Sequence, residues 1–232
     1  QGWPGLAAAA GGLATPAIRS RATIGGNLVQ QVRCWYYRGP DTVCLKKGGV
    51  ACLARQGDHL FHSCFDRGPC VAPHPSTLAA ALLAFDATVD IAADGAEPRT
   101  LSIPELVGDG TDPTRCHTLV DGELITHVTL PPAVAGEHSG YFRATSRSRA
   151  EWPLVEAIVR LPLDADGKVV GARVVLGGVA NTPLDRPECA VQLDHRAPTA
   201  DNLARAAEIA ARDASPLPMT RYKVRIIPGA VL

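Results

Sequence analysis

Residues 74–91 read HPSTLAAALLAFDATVDI, and the change of period inside this stretch decides the fold class. Ser76 stands in the N-cap position of an apolar run that predicts a helix from Thr77 to about Phe85. Thr88 to Ala92 then alternates as a strand, which the Asp94-Gly95 turn ends. A helix passing straight into a strand, in a chain with 22 Gly, 19 Pro and only 5% aromatic residues, predicts a loop-rich α/β or α+β protein rather than a helical bundle. The apolar run from Leu78 to Phe85 is the longest in the chain, and it is far too short to cross a bilayer.

Downstream, Ser102 to Val107 reads as a short helix and Glu123 to Leu130 (ELITHVTL) as a strand stopped by Pro131-Pro132. Tyr141 to Ser146 and Leu154 to Leu163 read as strands, the second with a helical start as the alternative, and Asp164-Ala165-Asp166-Gly167 as a hairpin turn into Lys168 to Val179. Thr199 to Ala214 carries apolar or small residues at helical spacing with Asp201 in the first turn. A composition shift at Gly136–Gly140 places a domain boundary there, giving segments 1–135 and 136–232. Upstream, an Ala-rich helical stretch breaks at Gly11, Gly12 and Pro16. The chain opens at Gln1 without an export-signal pattern, so it is expected to be processed, a piece of a longer chain, or incomplete.

Two hundred and thirty-two residues suffice for a sizeable core. With 46% hydrophobic residues, and 23 Lys+Arg against 23 Asp+Glu, no global field would attract nucleic acid or an anionic membrane.

Seven cysteines need an explanation, and five of them, Cys34, Cys44, Cys52, Cys64 and Cys70, fall within 37 residues. They occupy the segment from Gln31 to Pro75, which has no sustained period and is too long to be a structureless loop unless something other than a hydrophobic core orders it. Intervals of 9, 7, 11 and 5 residues contain no C-x2-C knuckle of the kind zinc ribbons use. Widely spaced single thiolates suit a larger iron–sulfur cubane. Other readings stay open: two disulfides and a spare thiol, unligated buried cysteines, or zinc recruiting His59, His62 or His74. Cys116 and Cys189, distant in the chain, read as structural.

Ala22-Thr23-Ile24-Gly25-Gly26-Asn27-Leu28 places two glycines where successive N–H groups could cradle a phosphate, with Thr23 and Asn27 adding side-chain hydrogen bonds; a plain Gly-Gly turn is the simpler reading. In this order, RATIGGNL, a cysteine-bearing insertion with RCWYYR, CLKKGG and GPC, then HPSTLAAALLAFDATVDI, resembles the FAD-binding medium subunits of the molybdenum hydroxylases (xanthine dehydrogenase family), in particular members with an extra 4Fe-4S cluster. ELITHVTLPP, GYFRATSRSRAEWPLVEAIVRL, VVLGGVANTPLDRPE and LPMTRYKVRI resemble that family's second half.

The resemblance implies an α+β fold: a mixed-sheet FAD-binding subdomain with an Fe-S insertion at 31–75, then a domain of antiparallel sheet and helices like the CO dehydrogenase flavoprotein C-terminal domain. It assigns Leu13, Ala14, Ala22, Thr23, Ile24, Gly25, Gly26, Asn27, Leu28, Ser76, Ile125 and Arg143 to the flavin. It assigns Cys34, Cys44, Cys52 and Cys70 to the cluster, leaving Cys64 a bystander. Lys46, Lys47, Arg33 and Arg38 would offset thiolate charge or be solvated loop charge, and Trp35, Tyr36 and Tyr37 would shield the cluster or pack locally. Three departures from the family pattern stand out. Thr77 replaces a usual Asp, Arg143 replaces a usual Lys, and the N-terminal FAD subdomain does not precede Gln1.

The implied role is electron transfer between the 2Fe-2S clusters of a small partner subunit and FAD. Substrate chemistry of the aldehyde, xanthine or aromatic acyl-CoA type would sit at molybdopterin on a large partner subunit, so no residue here is expected to be catalytic. The alternative is a zinc- or disulfide-stabilised assembly module. Localisation is expected to be cytoplasmic, or periplasmic if exported with a signal-bearing partner.

Overall fold

The computed structural model describes residues 2–148 and 150–232, so Gln1 and Arg149 lie outside the described residues. The chain begins with α1 (Pro4–Gly11), α2 (Pro16–Arg19), α3 (Ile24–Leu28) and α4 (Trp35–Arg38), followed by two single 3-10 turns in the cysteine segment and α5 (Thr77–Ala84). All eight residues of α5 are buried. A helix apolar on every side must be enclosed on every side, and α5 packs against α1, β5, β6 and α6 as these are defined below. Ser76 caps it as its sequence requires, its Oγ accepting from Ala79 N at 3.0 Å.

β1 (Thr88–Ala93) is flanked by β2 (Arg99–Ser102) and β3 (Glu123–Thr129) in the order β2-β1-β3. Val89 and Ile91 point to the core from alternate positions of β1, the period-2 pattern of a one-sided sheet. Between β2 and β3, Ser102 and Glu105 form a reciprocal capping box on α6 (Ile103–Val107). The fold class is as expected, and both pairings of this first sheet, expected to be mixed, are antiparallel.

A second antiparallel sheet runs β4 (Glu137–Ala144), β5 (Val155–Pro162), β6 (Arg173–Gly177), β7 (Leu184–Asp185) in that order. Its central strands are covered on both faces. Ile158 and Val175 join the α5 core, while Ala157, Val174 and Leu176 face the other way into a second core with Ile227 and Ala210. The helices on that side are α7 (Pro187–Leu193), α8 (Ala200–Ile209) and α9 (Arg221–Val231). Asp86, in the left-handed region at φ +52°, accepts from Arg160 at 3.1 Å and Arg173 at 3.0 Å. This contact ties the end of α5 to β5 and β6.

Several expected boundaries shift. The strand expected over Tyr141–Ser146 starts at Glu137 and stops at Ala144. The strand expected over Lys168–Val179 is only Arg173–Gly177, because Gly171 turns the chain at φ +70° and leaves a lone bridge between Leu163 and Val169. β2, α7 and α9 are unanticipated elements.

The cysteine segment is ordered unevenly. Its second half is hydrogen-bonded to the C-terminal part of the chain. Cys64 N and Phe65 N donate to Val179 O, His74 N to Ala180 O, and Ser215 N to Cys64 O. Met219 N donates to His59 Nε2 at 3.1 Å and Tyr222 Oη to Leu60 O at 2.9 Å. Lys223, 1% exposed, donates from Nζ to Gly178 O at 2.7 Å and Phe61 O at 3.2 Å. Its first half, Cys34 to Gln56, relies on side-chain ties such as Arg55 to Asp66 and Lys46 to Arg115 O.

Candidate cofactor sites

Cys34, Cys44, Cys52 and Cys70 line a single small void. The strandless loop brings them together: Cys34 sits at the start of α4, Cys44 and Cys52 at the starts of the two 3-10 turns, and Cys70 in extended chain just before Ser76. Burial pushes the Cys70 thiol up to about 11, with Cys52 and Cys34 contributing upward, and burial likewise raises Cys34, with Cys44 and Cys52 contributing. Without a bound group these two thiols are therefore protonated at neutral pH. All seven cysteines are unpaired. Among the described residues, no three His, Cys, Asp or Glu side chains converge as they would on one metal ion. Four cysteines around a shared void suit a larger inorganic core, which takes sulfurs from separated points.

Cys64 lies elsewhere, 0% exposed within the second core, and Cys189 shares that core. Cys116 is the surprise. Although distant in sequence, it packs beside Cys34 and Tyr37, its Sγ donating to Gln31 Oε1 at 3.3 Å. No local signal could have placed it there.

The residues expected near the cysteines divide by role. Lys46 lines the void, whereas Lys47 donates to Gly39 O at 2.6 Å, and Arg33 to Gln30 Oε1 at 3.0 Å. Tyr36 and Tyr37 line the void as well. Trp35 packs edge-on against Phe61 at 6.0 Å between ring centroids.

Residues 22–28 form no simple turn. Thr23 caps α3, its Oγ1 accepting from Gly26 N at 3.0 Å, and Thr23 O accepts from Asn27 N at 3.1 Å. The row of anion-facing amides expected from the sequence is thus reduced to the first two of a helix, Ile24 and Gly25, which have no carbonyl one turn earlier. Gly25 lies flat on β3, where a Cβ would sit 3.4 Å from Ile125 Cβ. Asn27 Oδ1 accepts from Ser76 Oγ at 2.7 Å, which leaves the Asn27 amide hydrogens for a ligand. Ala22, Thr23, Ile24 and Gly26 are exposed, and Leu28 is buried as the anchor of α3. Four of the expected flavin residues, Gly25, Ile125, Asn27 and Ser76, are therefore in direct paired contact.

Leu13, Ala14 and Arg143 form a second patch. Ala14 has φ +45°, a strained left-handed conformation for a residue with a Cβ. Three successive carbonyls are capped by two arginines: Arg143 donates to Gly12 O at 2.7 Å, and Arg19 to Leu13 O and to Ala14 O at 2.9 Å. Arg143 also donates to Glu151 O, yet its Nε is buried without a partner. Buried N–H groups left unpaired are rare, and this one is a donor available to a bound group.

Thr77, standing where the family pattern carries Asp, donates to the buried Glu156 at 2.8 Å, and Tyr141 donates to the same oxygen at 3.0 Å. Burial raises the Glu156 carboxyl above the usual range, while these two hydroxyls and Arg143 oppose the rise. No sequence pattern pointed to this carboxylate.

Comparison with known proteins places the chain in a family. The chain is 33% identical over 169 residues to the aldehyde oxidoreductase FAD-binding subunit PaoB of Escherichia coli (strain K12), an alignment covering 72% of this chain and 51% of that protein. The chain thus spans about half the length of this curated relative. Among solved structures, it resembles carbon monoxide dehydrogenase from Hydrogenophaga pseudoflava lacking the Mo-pyranopterin moiety, with a TM-score of 0.69 and 21% identity over 98% of this chain and 64% of that one. Quinoline 2-oxidoreductase from Pseudomonas putida 86 gives a TM-score of 0.64 and 20% identity over 94% and 61%; at these identities the likeness is one of fold. Residues 1–133 match the family described as the FAD binding domain in molybdopterin dehydrogenase, and residues 140–226 the CO dehydrogenase flavoprotein C-terminal domain. The chain therefore belongs to the FAD-binding domain family of the molybdopterin dehydrogenases.

Proposed function

We propose that this chain is an electron-transfer subunit of a molybdenum-containing hydroxylase or dehydrogenase, contributing part of an FAD site and holding a 4Fe-4S cluster on Cys34, Cys44, Cys52 and Cys70. The observation that carries the cluster is the shared void: four of the seven cysteines, and no others, line it. The flavin reading is supported by family membership and by residues that fit the group. Gly25 lets the first turn of α3 lie directly on Ile125, where a Cβ would already be in contact, Asn27 is oriented by Ser76, and the Arg143 Nε is a buried donor without a partner.

Bound flavin exchanges electrons one or two at a time, and an iron–sulfur cluster exchanges them singly. The chain's own residues do the positioning. Thr23 caps α3 so that its first amides point outward, Asn27 and Ser76 fix one edge of the cradle, and Arg143 fixes the Gly12–Ala14 turn. Burial of Cys70 and half-burial of Cys34 limit water at the sulfurs. Thr77 and Tyr141 donate to one oxygen of the buried Glu156 carboxyl and hold it in a site closed to solvent.

The partners in this reading are a large molybdopterin-binding subunit, which carries the substrate chemistry, and a small subunit with 2Fe-2S clusters. The remaining flavin contacts belong to the length of its relatives that this chain does not span. We place the division between the two parts of the chain at residues 135 and 136, just ahead of β4, and propose a cytoplasmic location, with export beside a signal-bearing partner as the alternative. No helix among the described residues is long and apolar enough to cross a membrane.

The test is the visible spectrum of the anaerobically purified complex, with subunit masses. Flavin bands over a broad iron–sulfur absorbance near about 400 nm are expected. A colourless complex with neither iron nor flavin contradicts the proposal.

A further inference from the structure

Glu156 is 1% exposed and stands near the start of β5 among apolar neighbours, Val155 before it and Ala157 and Ile158 after it. A buried carboxyl is costly unless it is hydrogen-bonded, and packing alone would be served by a Leu of similar size. The sheet nevertheless makes room for it. Gly177 is its partner on β6, where a Cβ would fall 2.7 Å from Glu156 Cγ and collide with the carboxyl oxygen. Gly177 lies outside the left-handed region, so space, not backbone conformation, requires glycine there. On the other flank Arg143 is the partner on β4. Cross-strand partners share a face, and the guanidinium favours the ionised carboxyl.

Two hydroxyls meet at Glu156 Oε2, and each belongs to a different flavin patch. Thr77 donates at 2.8 Å and follows Ser76, whose Oγ donates to Asn27 Oδ1 at 2.7 Å. Tyr141 donates at 3.0 Å. Its ring backs Gly12, where a Cβ would lie 3.5 Å from Tyr141 Cε1, and Gly12 O is the first of the three carbonyls that Arg143 and Arg19 cap. One carboxyl oxygen therefore ties the Asn27–Ser76 patch to the Gly12–Ala14 patch, across 79 residues of chain on one side and 15 on the other.

We propose that Glu156 is a positioning residue of the flavin site, holding the two patches at a fixed separation. Its role rests on FAD occupying both of them. The carboxyl is closed to solvent and acts through Thr77 and Tyr141 rather than by touching the flavin. Without an acceptor at this point the two hydroxyls lose their partner, and the start of α5 is free to shift against β4 and the Gly12 turn that β4 supports.

The test is titration of FAD into the purified full chain, read by flavin fluorescence, with thermal melting as the control for folding. Wild type should bind saturably. Glu156→Leu fills the volume but removes the acceptor, and affinity should fall at least about tenfold, the scale of hydrogen bonds to a charged group. Glu156→Gln keeps an acceptor oxygen for both hydroxyls and should stay within about threefold of wild type. Gly177→Ala retains Glu156 but pushes its carboxyl aside, and should bind as weakly as Glu156→Leu. Hydrogen exchange without FAD should quicken in Glu156→Leu at Leu13 and Asn27 together. A wild-type chain that binds no FAD refutes the flavin reading and this role with it. Saturable binding that is equally tight in wild type and Glu156→Leu, whatever the melting temperatures, overturns the positioning role alone, as does a loss in Glu156→Gln as large as that in Glu156→Leu.

Discussion

Lowering the pH of the purified chain from about 7.5 to about 4.5 should destabilise it through His74. The ring is buried, and burial holds it down to about 4 against the ordinary 6.5. A group depressed in the folded state contributes stability that is intact above the unfolded value and lost as the pH falls toward the folded one. Over this interval the unfolded chain takes up nearly a full proton at this residue, and the folded chain only about a quarter of one. At about 1.4 kcal/mol per unit, the difference is about 2.5 kcal/mol. A domain's whole stability is about 5–15 kcal/mol, so a urea midpoint should move visibly. The structural reason is specific: protonating Nδ1 turns it from the acceptor of Ser76 N–H into a second donor facing a donor. That contact holds the cap of α5 and, through Ser76, Asn27.

His62, also depressed to about 4 by burial first and then by Lys223, adds a loss of the same sign, so the wild-type slope exceeds the share of His74. His74→Gln isolates that share. The variant should lose about 2.5 kcal/mol less than wild type between the two pH values, whatever its stability at pH 7.5. Urea titrations at both pH values measure this, and ring proton NMR follows the residue itself. An unchanged slope in His74→Gln, or a His74 ring that titrates near 6.5, refutes the reasoning.

Three further outcomes follow from the geometry. Lys223→Met should cost about 2 kcal/mol by leaving Gly178 O and Phe61 O unpaired, and limited proteolysis should then cut near residues 59–66 while the α5 core resists. Gly25→Val should lose at least about tenfold in FAD affinity, because its branched carbons would press on Ile125 and displace α3 while leaving the α5 core intact; equal affinity would remove Gly25 from the cradle. Anaerobic loading of iron and sulfide in weak buffer near pH 7.5 should release protons, since the buried Cys70 thiol, raised to about 11, must ionise to ligate, and a pH-stat reads this directly.

Local chemistry made part of the fold legible. Ser76, the Ser102–Glu105 pair and Thr199 each mark a helix start, and each caps one. Asp94-Gly95 ends β1 with Gly95 at φ +70°. Elements whose order comes from distant contacts were not legible. In α3, two glycines disfavour a helix, and only the Thr23 cap and the packing of Gly25 on Ile125 hold one. In α9, a basic sequence with Pro228 inside it hides a helix whose Lys223 is buried because two carbonyls from elsewhere in the chain receive it.

The candidate sites divide in the same way. Spacing alone left several readings of the cysteines open; it was the family resemblance, through the GPC context of Cys70, that picked out the four that line one void and set Cys64 aside. Cys116 and Glu156 depend on tertiary neighbours alone. The second half of the cysteine segment also proves to be held by the Ser215–Lys223 region. Loss of a bound cluster should therefore loosen residues 34–56 and spare residues 59–74.

Iron and acid-labile sulfide, counted in the anaerobically purified chain beside Cys52→Ser and Cys64→Ser, bear most directly on the proposed cluster. About four irons and four sulfides per chain are expected, lost in Cys52→Ser and kept in Cys64→Ser. One zinc and no iron, or iron that survives Cys52→Ser and disappears in Cys64→Ser, contradicts it.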